Sequence, residues 1–142
     1  MTYKLGTASR KKLAFVHPAL VAVVGRAIEL SEQDFTVLEG ARTTERQRAL
    51  YAQGRTAPGK IVTWTMNSPH LIGADGYSRA VDLAPYPVDW ESPEKFDAIA
   101  AAMMQAADEL GTPLRWGADW DRDGNPRERG ESDSPHFELA KG

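Results

Sequence analysis

The stretch "SPHLIGADGYSRAVDLAP", residues 68 to 85, decides how the rest of the chain is read. Its second half, "RAVDLAP", is apolar and closed by Pro85, which predicts a strand over residues 79 to 85. Asp82 stands inside that run. A carboxylate buried in a strand is costly unless a cation or a metal answers it. Upstream, a turn with Asp75-Gly76 at its tip separates the strand from His70. The chain has three histidines, and a second Ser-Pro-His triplet occurs in "ESDSPHFEL", residues 131 to 139. His70, Asp82 and His136 are thereby candidates to share one partner.

Outward from this stretch, helix and strand signals alternate. Pro18 suits a first helical turn, and Leu20, Val21, Val24, Ala27 and Ile28 give an apolar face through about Leu30. "FTVLE" (35 to 39) reads as a strand stopped by Gly40. Thr44 with Gln47 makes a capping-box pattern for a helix that runs to Gly54. "IVTW" (61 to 64), "LRW" (114 to 116) and "HFEL" (136 to 139) read as short strands. Ser92-Pro93 caps the clearest helix, in which Phe96, Ile99, Ala100, Met103, Met104, Ala107 and Leu110 recur at helical spacing up to Gly111. Its methionines read as core. Between residues 117 and 133 lies a polar loop rich in Gly and Asp, and a loop that long in a compact domain is commonly functional. The pattern predicts one α+β domain with a small, mainly antiparallel sheet packed with about three helices.

Bulk properties narrow the chemistry. With 142 residues the chain buries a sizeable core as one domain, without staples. A net charge of −3 gives no footprint for nucleic acid. Without cysteine there is neither a disulfide framework nor a thiolate metal site, so any ion is held by His, Asp or Glu. The basic start followed by apolar residues superficially resembles a signal peptide, but His17 and Pro18 interrupt it and no small-residue cleavage site follows. No segment approaches the roughly 20 apolar residues that span a bilayer. The expectation is a soluble product made in the cytosol, without membrane insertion.

A hydrolytic zinc site needs three protein ligands and an open position. His70, Asp82 and His136 would supply two neutral imidazoles and one carboxylate, leaving the ion a residual positive charge that acidifies water and polarises a carbonyl. The competing reading is that each histidine is an ordinary surface or satisfied core residue. His17, just before the first helix, is assigned to that class.

The motifs carry a family likeness. "SPHLIGADGYSRAVDLAP" resembles the first histidine–aspartate signature of the zinc D-Ala-D-Ala carboxypeptidase and L-alanyl-D-glutamate endopeptidase family, and "DSPHFEL" resembles its second histidine motif. "EGARTTERQRALYAQGRTAPGKIVTW" and "LRWGADWDRDG" are similar to segments of the phage endolysins in that family. The likeness runs from about residue 13 to 139, in order. It implies a hedgehog/D-Ala-D-Ala peptidase-like fold, with His70, Asp82 and His136 as Zn2+ ligands. It implies Asp133 as the acidic proton carrier, Arg42 as the arginine that holds substrate or oxyanion, and Gln47 and Ser68 as accompanying polar residues. Arg79 is a second candidate for receiving a substrate carboxylate. The implied substrate is a peptidoglycan stem peptide, with the L-Ala–D-Glu bond as the expected point of cleavage. A D-Ala-D-Ala carboxypeptidase using the same metal site, and a non-catalytic metal-stabilised binding module, are the alternatives.

The resemblance further implies a monomeric lysin made in the cytoplasm of an infected bacterial cell. It would reach the wall through a separate pore-forming protein, and no separate wall-binding domain is expected. One departure stands out: more residues separate His70 from Asp82 than is usual in the family, and "ADGYS" reads as an inserted turn. Asp75 is therefore an alternative carboxylate ligand, with Asp82 preferred because "RAVDLAP" reproduces the family's surroundings. Asp119, Asp121 and Asp123 in "DWDRDGN" match the opening of an EF-hand-type loop, a candidate Ca2+ site. Gly130 stands where the full motif needs Glu.

Overall fold

The structure is a computed structural model and describes residues 3–56, 59, 69–119 and 134–140. In chain order its elements are α1 (Thr7–Lys12), α2 (Pro18–Leu30), β1 (Phe35–Glu39), α3 (Thr44–Ala52), β2 (Ala80–Pro85), α4 (Pro93–Leu110), β3 (Leu114–Trp116) and β4 (His136–Leu139). The strands form one sheet in the order β1-β2-β4-β3, every pair antiparallel. The expected α+β domain is therefore present, with one helix more than the apolar periodicity indicated. α1 escaped notice because "TASRKK" has no apolar stripe; only Ser9 of it is buried, and Ser9 Oγ accepts the Val37 amide. The strand expected at residues 61 to 64 lies outside the described residues.

The helices start and stop where their chemistry dictates. Pro18 opens α2, and His17 caps it, its Nδ1 accepting the Ala19 amide at 3.1 Å. His17 is thus a satisfied structural histidine. Gly111, at φ 66°, closes α4 in the left-handed conformation that glycine tolerates best. α2 buries Leu20, Val23, Val24, Ala27 and Ile28. These meet α4 and the sheet in a single core containing Phe35, Val37, Val81, Leu83, Ile99, Met103 and Phe137. Each large side chain buried this way contributes about 1.5–3 kcal/mol. The expectation that both helix methionines are core holds for Met103, while Met104 is 38% exposed.

α3 begins one residue earlier than the capping-box pattern suggested. Thr43, not Thr44, is the cap, its hydroxyl accepting the Arg46 amide. Gln47 is fully buried and bonds a side chain rather than returning to the cap, because its amide faces the Arg42 guanidinium.

β2 is one of the two inner strands, and its alternation sets up the functional face. Val81 and Leu83 face the core, so Ala80, Asp82 and Ala84 point to the opposite face. The two alanines are small and leave room around the carboxylate. On β4, Phe137 joins the core and His136, opposite Asp82, shares the carboxylate's face. The β1–β2 register shifts between Val37 and Glu39, so that Glu39, and not Leu38, pairs with Asp82. This bulge turns an acidic side chain toward the same face.

Candidate metal centre

Three side chains converge on that face. His70 Nε2 lies 3.4 Å from Asp82 Oδ1, and His136 Nδ1 lies 3.2 Å from the same oxygen. The ligand-capable atoms of all three residues fall within 4.8 Å of one another. His70 is 3% exposed and His136 8%, so the imidazoles are largely removed from solvent. Burial alone would push the Asp82 carboxyl up. The hydrogen bonds and charge of His136 and His70 outweigh it and hold the group well below the usual carboxylate range, as an anion.

Each histidine is oriented by a partner on its far nitrogen. His70 Nδ1 is 2.8 Å from the Gly40 carbonyl oxygen, which can only accept, so Nδ1 carries the proton and Nε2 presents a lone pair. His136 Nε2 is 2.9 Å from Glu138 Oε1, so this imidazole presents Nδ1. Glu138 is two residues along β4 and therefore on the same face, opposite Ala80. In the metal-free protein a proton on a near nitrogen bridges it to Asp82; once those protons are given up, two lone pairs and an anionic oxygen face one another, an arrangement that a cation satisfies. A tetrahedral ion with N and O ligands at about 2.0–2.1 Å places its ligand atoms roughly 3.3 Å apart, matching the two separations from Asp82 Oδ1. The group fits a divalent metal, and both imidazoles have the outer-shell acceptors typical of metal-bound histidine.

The loop carrying His70 is clipped at both ends. The Arg42 amide donates to the His70 carbonyl at 2.6 Å, the Ile72 amide returns to the Arg42 carbonyl, and the Arg79 amide donates to Pro69. Gly40 is fixed from behind, since a Cβ there would collide with the Lys12 carbonyl oxygen. The C-terminal end of α1 thus presses on the residue whose carbonyl orients His70.

Arg42 is 8% exposed and held by a fork: Nε and Nη2 donate to the two Glu39 oxygens at 2.9 and 2.7 Å, and Nη1 donates to Gln47 Oε1 at 2.5 Å. Burial raises the Glu39 carboxyl, but the Arg42 hydrogen bonds and charge prevail and lower it. Arg42 and Gln47 are accordingly brought together beside the centre. Asp75 sits apart, in an exposed ion pair with Arg79 at 2.5 Å and accepting the Tyr77 amide. Its turn is fully accounted for without metal. Ser68, Asp121, Asp123 and Asp133 lie outside the described residues. Asp119 is half-buried, its amide donating to Trp116 at 3.0 Å.

Three residues of the site went unread in the sequence: Glu39, Gly40 and Glu138. Glu138 was legible in principle, since i and i+2 of a strand share a face. Its role predicts that Glu138→Ala keeps the fold but weakens metal binding about 10–100-fold, measurable by competition with a chromophoric chelator.

A carboxylate and an imidazole on adjoining strands of an α+β sheet, with a second imidazole from the loop that precedes them, define a centre of the kind that hydrolytic metallopeptidases use. Residues 1–140 match the family model for the phage L-alanyl-D-glutamate peptidase. The chain is 39% identical to the L-alanyl-D-glutamate peptidase of Escherichia phage T5, over 99% of its own length and 100% of the relative's. It is also 27% identical to the peptidoglycan L-alanyl-D-glutamate endopeptidase CwlK of Bacillus subtilis (strain 168), over 75% of this chain and 60% of that one. The crystal structure of the Serratia marcescens L-Ala D-Glu endopeptidase ChiX superposes with a TM-score of 0.73 at 33% identity, covering 96% of this chain and 90% of that one. The chain belongs to the phage L-alanyl-D-glutamate peptidase family.

Proposed function

We propose that the protein is a zinc-dependent endolysin that hydrolyses the L-Ala–D-Glu bond of peptidoglycan stem peptides. The observation that carries this reading is the convergence of His70, Asp82 and His136, with Gly40 and Glu138 behind the imidazoles, in a chain of this family. Zinc is favoured over harder cations because two of the three donors are imidazole nitrogens. When bound there, zinc supplies a Lewis acid that polarises a carbonyl and lowers the pKa of water toward about 7.

The chain's own residues do the rest. His70, Asp82 and His136 would hold the ion. Asp133, three residues before His136 in sequence, takes the proton from the attacking water and delivers it to the leaving amine. Arg42 has five N–H donors, three of them committed to Glu39 and Gln47, so a fork of this rigidity can offer the remainder to a substrate carboxylate or developing oxyanion. Water attacks the L-Ala carbonyl carbon, the C–N bond breaks, and the new amino group belongs to D-Glu.

Digesting purified sacculi and identifying the new amino termini by mass spectrometry tests the reading. Newly exposed D-Glu termini are expected. Release of free D-Ala in their place would establish the carboxypeptidase alternative.

A further inference from the structure

A second concavity adjoins the centre and shares Glu39 and Gly40 with it. This groove, of about 510 Å3, is lined by Lys11 and Lys12 at the end of α1, Arg46 in the first turn of α3, and the apolar Phe15 and Ile72. The volume lies within the range of small-ligand sites. Its charge is locally inverted: the chain carries a net −3, whereas three exposed cations face this space. None of the three has an ion-pair partner among the described residues. The one acidic lining residue among those described, Glu39, is already neutralised by Arg42.

Ordinary structural roles explain only part of this. Lys11 and Lys12 complement the carbonyl end of α1, where cations are favoured. Arg46 sits at the opposite kind of helix end, where a cation is disfavoured, and gains nothing there from its own helix. Phe15 is held at φ 64°, a backbone region hostile to bulky L residues, with 65% of its surface exposed. It therefore accepts strain without burying its ring. The backbone there ends the turn after α1, where the Phe15 carbonyl accepts the Ser78 amide at 2.8 Å, and it leaves the ring along the groove.

We infer that this groove binds the carboxylate-bearing peptide on the D-glutamyl side of the scissile bond. The inference rests on the proposed L-Ala–D-Glu cleavage and names the subsite that would select for it. A γ-linked D-glutamyl residue retains a free α-carboxylate, and a following diamino diacid adds another. Lys11, Lys12 and Arg46 take those carboxylates, while Phe15 and Ile72 cover the aliphatic methylenes between them.

The test is calorimetric binding of the product tripeptide γ-D-Glu–diaminopimelate–D-Ala, which lacks the scissile bond, to the full metal-loaded chain. Reversing charge with Lys11→Glu and Lys12→Glu together is expected to weaken binding at least tenfold in a chain that stays folded, its melting temperature lowered only by the lost charge complement at the end of α1. Amidating the tripeptide carboxylates should do the same to the wild type. On a disaccharide-tetrapeptide substrate the double variant should raise KM with kcat altered less than twofold. Phe15→Gly is expected to melt higher, as strain is relieved, yet bind the tripeptide more weakly. Affinity changed less than twofold by charge reversal would overturn the inference, as would tighter binding of poly(glycerol phosphate) than of the tripeptide. Sacculus digestion reports separately on the cleavage itself, so a cut bond with charge-insensitive tripeptide binding removes the subsite and leaves the peptidase reading standing.

Discussion

Replacing Asp82 by alanine is expected to remove both the bound metal and wall hydrolysis. The variant retains two imidazoles, His70 and His136, whose rings stand 5.2 Å apart, but no anionic ligand between them. A three-ligand site reduced to two neutral donors should lose about 10³-fold or more in affinity, so the purified protein should carry little zinc by elemental analysis. Hydrolysis of sacculi should fall by about 10⁴-fold. Two companion variants sharpen the assignment. Asp75→Ala should keep its full metal content, because Asp75 is committed to Arg79 on the surface. Asp133→Ala should also keep its metal while turnover drops about 10²–10⁴-fold, the range expected for loss of a proton-transfer group. A full equivalent of zinc in Asp82→Ala protein would sink the ligand assignment, whatever the activity.

The second large effect is on the support beneath the centre. Arg42→Leu strands Glu39, a mostly buried carboxylate that shares its register position with the Asp82 anion. Breaking a buried pair from one side costs about 3–5 kcal/mol, and the partial exposure of Glu39 places the expectation near the low end. For a domain of this size that is roughly 10 °C in melting temperature. The backbone of Arg42 also anchors both neighbours of Leu71, so local disorder in the His70 loop should weaken metal binding as well. Arg42→Lys should recover only part, since a point charge cannot reproduce a fork that spans Glu39 and Gln47.

Adding Glu39→Gln to Arg42→Leu should restore much of the stability by removing the orphaned charge. A double variant no more stable than Arg42→Leu alone would show that the ion pair is not the source. Because Glu39 titrates lower in the folded protein than unfolded, the wild-type pair stabilises above the ordinary glutamate range. That contribution is lost as pH falls through the depressed folded value. The single variant should therefore show a shallower acid limb.

Much of this was readable in the chain, for identifiable reasons. α2 and α4 were legible because a proline start and a periodic apolar face are local properties. Asp82 was legible because a carboxylate between Val81 and Leu83 needs an explanation that local structure does not supply. The linked motifs around His70 and His136 placed the other two members of the group. Glu39 was hidden for a physical reason: it faces the site only because the strand holds one extra residue at Leu38, and strict alternation would have sent it to the other face. Gly40 was read as a strand stop, when its carbonyl and its missing side chain are what matter. Thr43 lost the cap assignment to Thr44 because Gln47 looked like a capping partner, and only the folded chain reveals that Arg42 claims it.

The pairing of β2 with β4 reaches further than geometry. Asp82 and His136 are 54 positions apart in the sequence, with all of α4 and β3 strung between them. An ion gripped by both acts as a removable staple across that long loop, and one that favours only the folded chain. Resistance to unfolding and to proteolysis would then be tied to the metal supply of the surroundings, and a molecule that finds its ion late would travel in its looser form until then.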